Sequence, residues 1–272
     1  MSVLGREDAS LAYRERGVGS PVVLLHGFSQ RGDTWTELIG FLADQHRWIT
    51  IDIRGHGVTT TRAGASHAME ACANDVIALL DELGIARCHL AGYSMGGRLA
   101  LFMATRHPER LQSLTVISGH AGLGGDERGS RMHRDAELAD RIETEGVGWF
   151  AEYWEQLPIF STLRERRPDL AETLQRRRRD NDPRGLASSL RDMGAAAMPP
   201  LWDSLEGIRC PVLLIAGADD ERYVEYAQRL GTALKHARVE IVAGTGHSVH
   251  LEEPAGVAKI ISRFLRQVDG DI

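Results

Sequence analysis

Residues 88–106 read CHLAGYSMGGRLALFMATR: an apolar run, a glycine-flanked serine and an amphipathic stretch in direct succession. Cys88 to Ala91 predicts a buried strand and Met95 to Arg106 a helix. Between them Gly92-Tyr93-Ser94-Met95-Gly96 has the pattern G-x-S-x-G. The glycines permit a sharp turn that side chains would obstruct, and the turn presents the Ser94 hydroxyl at a sheet edge beside a helix N-terminus. Such a hydroxyl is a weak nucleophile or base unless a neighbouring side chain takes its proton.

That need directs the search for partners. In this arrangement an acid follows a later strand and a histidine lies near the chain end. His247 sits in Gly244-Thr245-Gly246-His247-Ser248, after a strand ending at Val242 and before the last helix. His250 is the competitor, closer to Pro254 and better suited to a structural or pocket-lining place. Asp219, Asp220 and Glu221 all follow the strand ending near Gly217. Asp220, three residues on, is the favoured acid, with Asp219 a solvated turn residue. Two backbone N–H groups are needed to hold an oxyanion. Met95 supplies one by position, and the His26-Gly27-Phe28 loop after an earlier strand supplies the other, at Phe28. His26 and Gly27 shape that turn.

The rest of the chain repeats the same rhythm. Leu11–Arg16, Pro21–Leu25, Trp48–Ile53 and Leu111–Ser118 read as strands. Asp33–Ala43 carries a helical stripe, and Ser66 is placed to cap a helix whose apolar face runs from Met69 to Leu83. From about His120 to Pro200 there are helical stretches, arginine runs and aromatic pairs but no convincing strand. After Pro199-Pro200 the alternation resumes with strands at Pro211–Ala216 and Ala237–Val242. Helices are expected at Tyr223–Leu234 and Pro254–Val268. The expected architecture is α/β: a mostly parallel sheet flanked by helices, formed by residues 1–119 and 201–272, with a helical cap inserted at 120–200.

Composition narrows the class. The chain has 272 residues, 43% hydrophobic and 26% charged, which fits one large α/β domain or two small domains and not a disordered chain. A formal net charge of −6 argues against nucleic acid or an anionic membrane as partner. No apolar run reaches the roughly 18 residues of a membrane span, and Met1–Ser10 lacks a signal peptide's apolar stretch. The three cysteines, Cys72, Cys88 and Cys210, are far apart and show no metal-ligand spacing, which points to a reducing cytoplasm. Lys235 and Lys259 are the only lysines among 32 basic residues, so an arginine cluster here is weaker evidence of function than usual.

The motifs together place the chain in the α/β-hydrolase superfamily by resemblance: HGF at His26–Phe28, D-x-R-G-H-G at Asp52–Gly57, the serine turn, and the late Asp and His. Gly92–Leu101 more narrowly resembles the serine turn of the 2-succinyl-6-hydroxy-2,4-cyclohexadiene-1-carboxylate synthases of menaquinone biosynthesis. Gly119–Leu123 with Asp126–Arg131, Trp154–Phe160, Leu186–Pro200 and Gly246–His250 are similar to segments of the same family. The resemblance implies a Ser-His-Asp triad that eliminates pyruvate instead of hydrolysing an ester, with Ser94 as base and no metal or organic cofactor. It also implies a substrate with several carboxylates held by Arg98, Arg131 and Arg178, beside Trp154; Tyr93, inside the serine turn, either packs or lines the site. Arg128 competes with Arg131, and Arg177 and Arg179 with Arg178. Arginine's planar fork suits carboxylates, and Arg98, one helical turn past Ser94, falls near the pocket-facing side. The rival readings are a serine hydrolase of esters or carbon–carbon bonds and a ligand-binding protein with a vestigial triad. Oligomeric state is not legible from the sequence.

Overall fold

The computed structural model describes residues 1–42 and 46–270. The first strands are β1 (Ser2–Gly5), β2 (Ala9–Arg16), β3 (Ser20–Leu25) and β4 (His46–Ile51), with α1 (Thr36–Phe41) before β4. A two-residue strand β5 (Thr60–Thr61), α2 (Met69–Glu82), β6 (Cys88–Tyr93), α3 (Met95–Arg106) and β7 (Leu111–Ile117) follow. The chain closes with β8 (Val212–Gly217) and β9 (Ala237–Val242), which alternate with further helices. The strands form one sheet in the order β1-β2-β4-β3-β6-β7-β8-β9, with β5 on β2. β2 runs antiparallel to β1, β4 and β5; from β4 to β9 every pairing is parallel.

Alternate residues of each central strand serve opposite faces. Val23 and Leu25 join a core with Leu79 of α2 and Leu99 of α3. Val22 and Leu24 join a second core with Trp35, Leu38 and residues of the C-terminal helix, including Ile261 and Phe264. Burial on both faces explains why β3, β6 and β8 read as continuous apolar runs.

Between β7 and β8 the longer regular elements among the described residues are helices: α4 (Gly125–Glu155), α5 (Ser161–Arg166), α6 (Pro168–Arg178) and α7 (Pro183–Met193). They hold a separate small core of Ala139, Ile142, Phe150, Leu186, Ala187 and Leu190. α4 breaks at Gly146, whose φ of 85° no other residue type adopts readily. The last helices are α8 (Glu221–Ala233), the one-turn α9 (Val249–Glu252) and α10 (Pro254–Asp269), the last with proline at its first position.

Several local expectations change. Ala68, not Ser66, occupies the cap of α2, because the Ser66 hydroxyl accepts the Ala68 amide at 3.2 Å in a tight turn before the helix. The stripe at 33–43 divides into a 3-10 turn, Gly32–Trp35, and α1, since Asp52 Oδ1 takes the Gly32 amide at 2.8 Å and fixes the entry. Ala43 lies outside the described residues. β1, β5 and α9, too short for a periodic signal, were not expected. No helix among the described residues is long and apolar enough to cross a membrane.

The fold buries several histidines as neutral rings. Burial lowers the pKa of His26, His56 and His120, and pushes that of His250 down to about 3. His250 lies between the rings of Trp35 and Tyr93 at 4.6 and 4.4 Å, and neither ring nitrogen has a hydrogen-bond partner among the described residues. The unfolded chain takes up a proton near pH 6.5 that the folded ring refuses until about pH 3. Its contribution is therefore whole above pH 6.5 and is lost as pH falls toward 3. His250→Phe, which sacrifices no hydrogen bond, should flatten the acid side of the stability curve by up to about 1.4 kcal/mol per pH unit in that window. Urea unfolding at a series of pH values checks this; an unchanged slope would show that the ring is not buried neutral.

Candidate active site

A Cβ on Gly92 would strike the Gly96 carbonyl, and one on Gly96 would strike the Leu25 carbonyl at the end of β3. The two glycines thus let β6, the turn and α3 pass at backbone contact. Ser94 between them takes φ 51° and ψ −107°, a region that side chains seldom occupy. Its amide donates to Ile117 O at 2.9 Å and its carbonyl accepts the Arg98 amide at 3.0 Å, so neighbouring elements hold the strained residue in place.

The Ser94 hydroxyl donates to His247 Nε2 at 3.0 Å, and His247 Nδ1–H donates to Asp220 Oδ2 at 2.8 Å. Each residue leaves the carboxyl end of a parallel strand: Ser94 from β6, Asp220 from β8, His247 from β9. Asp219 is exposed and outside the relay, but its amide donates to Thr245 O at 2.9 Å and joins the two loops. Two further groups hold the His247 backbone. The Ser118 hydroxyl donates to His247 O at 2.8 Å. The buried Glu252 carboxylate accepts the Gly246 and Ser248 amides at 2.8 and 3.1 Å. Neither residue was singled out from sequence; their value depends on which loops meet.

Met95 opens α3, so its amide is one of the unpaired donors of a helix start. The Phe28 amide has no backbone acceptor among the described residues. The loop that carries it is fixed by neutral His26, whose Nδ1–H donates to Gly27 O at 2.8 Å while Nε2 accepts the Ile53 amide at 3.0 Å.

Ser94 and His247 open into a cavity of about 470 Å³ between the strand ends and the helices of residues 125–193. Phe28, Tyr93, Trp154, Phe160 and Tyr223 supply much of its wall. Trp154 packs on Phe28 at 5.3 Å, and Tyr93 donates or accepts a hydrogen bond with Ser248 Oγ at 3.0 Å. Tyr223, read from sequence only as the start of a helix, lies 4.4 Å from the His247 ring.

Arginines dominate the charge. Arg98, Arg131, Arg134 and Arg178 line the cavity, whereas Asp135 is the only carboxylate on its wall among the described residues. Arg131 donates to Asp135 at 2.7 Å. Arg178 is buried against the Glu155 carboxylate, a partner not foreseen from sequence. Arg98 is 7% exposed, and its one side-chain hydrogen bond among the described residues, at 2.9 Å, goes to the neutral Met193 carbonyl. Burial pushes its pKa down to about 10, which leaves it cationic at neutral pH. The competing arginines point elsewhere. Arg128 donates to Ala196 O at 2.8 Å, Arg177 approaches Asp33 at 3.5 Å and Arg179 pairs with Glu152 at 2.9 Å. Arg134, at the exposed edge of the wall, carried no motif.

A Ser–His–Asp relay at the carboxyl ends of a mostly parallel sheet defines a class, and the chain belongs to the alpha/beta hydrolase fold family, whose model matches residues 20–254. A Bacillus subtilis protein provisionally named 2-succinyl-6-hydroxy-2,4-cyclohexadiene-1-carboxylate synthase is 39% identical over 91% of this chain and 90% of its own. The synthase of that name from Enterobacter sp. is 31% identical over 90% and 91%. Within the fold the chain belongs to this synthase family. Among solved structures, MenH from S. aureus superposes with a TM-score of 0.91 at 27% identity, covering 94% of this chain and 98% of that one. An esterase from Thermogutta terrifontis superposes at 0.86 and 28% identity, over 96% and 94%.

The relay geometry has a direct consequence. A serine-directed phosphonate should label the protein at Ser94 and leave Ser94→Ala unlabelled. Asp220→Asn should slow labelling by up to about 10⁴-fold, through loss of the productive imidazole tautomer. Asp219→Asn should label at nearly the parent rate, and the reverse order of the two aspartates would reassign the acid. Intact mass measured over a time course reads all four proteins.

Proposed function

We propose that this protein is a lyase that eliminates pyruvate from 2-succinyl-5-enolpyruvyl-6-hydroxy-3-cyclohexene-1-carboxylate to give 2-succinyl-6-hydroxy-2,4-cyclohexadiene-1-carboxylate. One observation carries the reading: Arg98, a buried guanidinium without a carboxylate partner among the described residues, lines the same cavity as Ser94. A buried cation without a counter-ion is costly, and a substrate carboxylate would relieve that cost. Synthase-family membership and an arginine-rich wall in a protein of net charge −6 support the same reading.

In this mechanism His247, oriented by Asp220, takes the Ser94 proton as Ser94 Oγ removes a proton from the ring. Electron density moves onto the succinyl carbonyl oxygen, where the Phe28 and Met95 amides hold the developing charge. The ring then expels the enolpyruvyl oxygen: the C–O bond breaks, a ring double bond forms, and the departing enolate takes up the proton held by His247 and tautomerises to pyruvate. Arg98, Arg131 and Arg178 hold carboxylates, while Trp154 and Tyr93 enclose the ring. The helices of residues 120–200 serve as a cap that carries three of these contacts over the strand ends. The substrate is a small polycarboxylate, with no nucleic acid or membrane partner, and the protein works in the cytoplasm.

The arginines separate elimination from ester hydrolysis. A hydrogen bond to a charged group contributes roughly 1.5–3 kcal/mol, so Arg98→Ala should lower kcat/KM for pyruvate release about 10- to 150-fold. Cleavage of a short neutral nitrophenyl ester should hardly change. Arg98→Lys should rescue in part, having the charge without the fork. Arg177→Ala should be close to silent. Arg178→Ala strands the Glu155 carboxylate and should lower stability by about 3–5 kcal/mol, so its kinetics need the partner change Glu155→Gln beside it. Equal losses for both substrates in Arg98→Ala, or no loss in either, would remove the charge-pairing argument and favour a serine hydrolase.

A further inference from the structure

At the opposite end of the sheet from Ser94, three side chains far apart in sequence converge. His46 opens β4, His89 is the second residue of β6, and β3 runs between them, with Ser20 beside His46 and Val22 beside His89. Asp269, in the last turn of α10, reaches both. His46 Nε2 lies 3.0 Å from Asp269 Oδ2, and His89 Nε2 lies 3.0 Å from Asp269 Oδ1. We propose that His46, His89 and Asp269 form a structural site for a single divalent transition ion of the zinc class, which ties the C-terminal helix to the base of the sheet.

The donor set and its geometry both suit such an ion. Two imidazole nitrogens and a carboxylate are ligands zinc accepts, with water completing the shell. The three donor atoms all lie within 4.8 Å of one another. Zinc–nitrogen bonds of about 2.0–2.1 Å place tetrahedral neighbours roughly 3.3 Å apart, so both Asp269 contacts are already near the required spacing. Only the two histidines must close, and Asp269, exposed near the end of a helix, can follow. The rings stand nearly perpendicular at 78°, with centroids 5.9 Å apart and both Nε2 atoms turned to the shared carboxylate.

The surroundings supply what a bound ion needs. His89 Nδ1 lies 2.8 Å from the Ser113 hydroxyl. Without metal, each imidazole can carry its proton on Nε2 and donate it to Asp269, while Ser113 donates to Nδ1 of His89. On binding, the His89 proton moves to Nδ1 and Ser113 becomes the acceptor, so no hydrogen bond of that ring is lost. Such a partner orients a ligating imidazole. A solvent-open cavity of about 890 Å³ adjoins His46 and Asp269, giving the ion a way in. The Gln112 side-chain oxygen in its wall is buried and unpartnered among the described residues, so it can accept a hydrogen bond from metal-bound water. Arg87, also in the wall, is the one opposing charge there among the described residues, and its guanidinium donates to Leu111 O at 2.6 Å.

The test uses the full chain, stripped with a chelator and dialysed against zinc chloride. About one zinc per chain is expected, and saturation at 100 times Kd should raise the thermal midpoint by about 5 °C. Asp269→Asn, which keeps a side chain of the same shape, and His89→Gln should abolish both effects. Ser113→Ala should weaken binding about 10-fold or more. His247→Ala should bind zinc like the parent, which separates this site from the catalytic relay. Absence of bound zinc, zinc retained by Asp269→Asn, or zinc lost only in His247→Ala would each overturn the proposal.

Discussion

Ser94 can stand at a positive φ only because Gly92 and Gly96 remove every atom between the backbones of β6, α3 and β3. The rest of the active site is built around that contact. It sets the serine hydroxyl in front of the strand ends and places the start of α3 and the Phe28 loop beside the same cavity. The strain is held by the Ser94 amide donating to Ile117 O and by the Arg98 amide donating to Ser94 O, both in well-buried elements. A loop alone could not keep a residue in that conformation, since a cost of order 1–3 kcal/mol persists only where the surroundings over-determine it.

The second constraint is charge. The protein as a whole is negative, yet among the described residues its cavity wall carries four arginines against one carboxylate. Arg178 and Arg98 solve the problem of burial differently. Arg178 has the Glu155 carboxylate as counter-ion, although its Nε is unpartnered among the described residues, so removing it exposes a buried anion. Among the described residues Arg98 has only a carbonyl, so its ion-pairing capacity is not used by a carboxylate there. Side chains on α3 and on the helices above the sheet thus set the charge of the cavity independently of the Ser–His–Asp relay.

The two ends of the sheet show contrasting uses of histidine. At the carboxyl ends His247 is one ring nitrogen from a serine and the other from an acid, while His26 and His250 nearby are kept neutral by burial. At the amino ends His46 and His89 share one carboxylate beside open solvent. The first arrangement depends on loops that leave strands, and the second on strand starts and the last turn of a helix.

The alternation of apolar strands and amphipathic helices, the serine turn and the late Asp and His were readable because each is a local pattern of a few residues. Strand burial on both faces writes itself as an apolar run, and a turn at backbone contact writes itself as glycine. Arg98 was readable too, through the period of the helix that follows Ser94. Short elements such as β1, β5 and α9 left no period to detect, and Ser66 matched a capping pattern that the chain used for a turn. Only the tertiary structure shows that Arg131 and Arg178 line the cavity whereas Arg128, Arg177 and Arg179 do not, because a run of arginines carries no mark of which one faces inward. The roles of Glu252, Ser118 and Tyr223, the Glu155 partner of Arg178, and the meeting of His46, His89 and Asp269 likewise depend on contacts between distant segments. Sequence specifies what each segment does to its own backbone, whereas packing decides which side chains share a space.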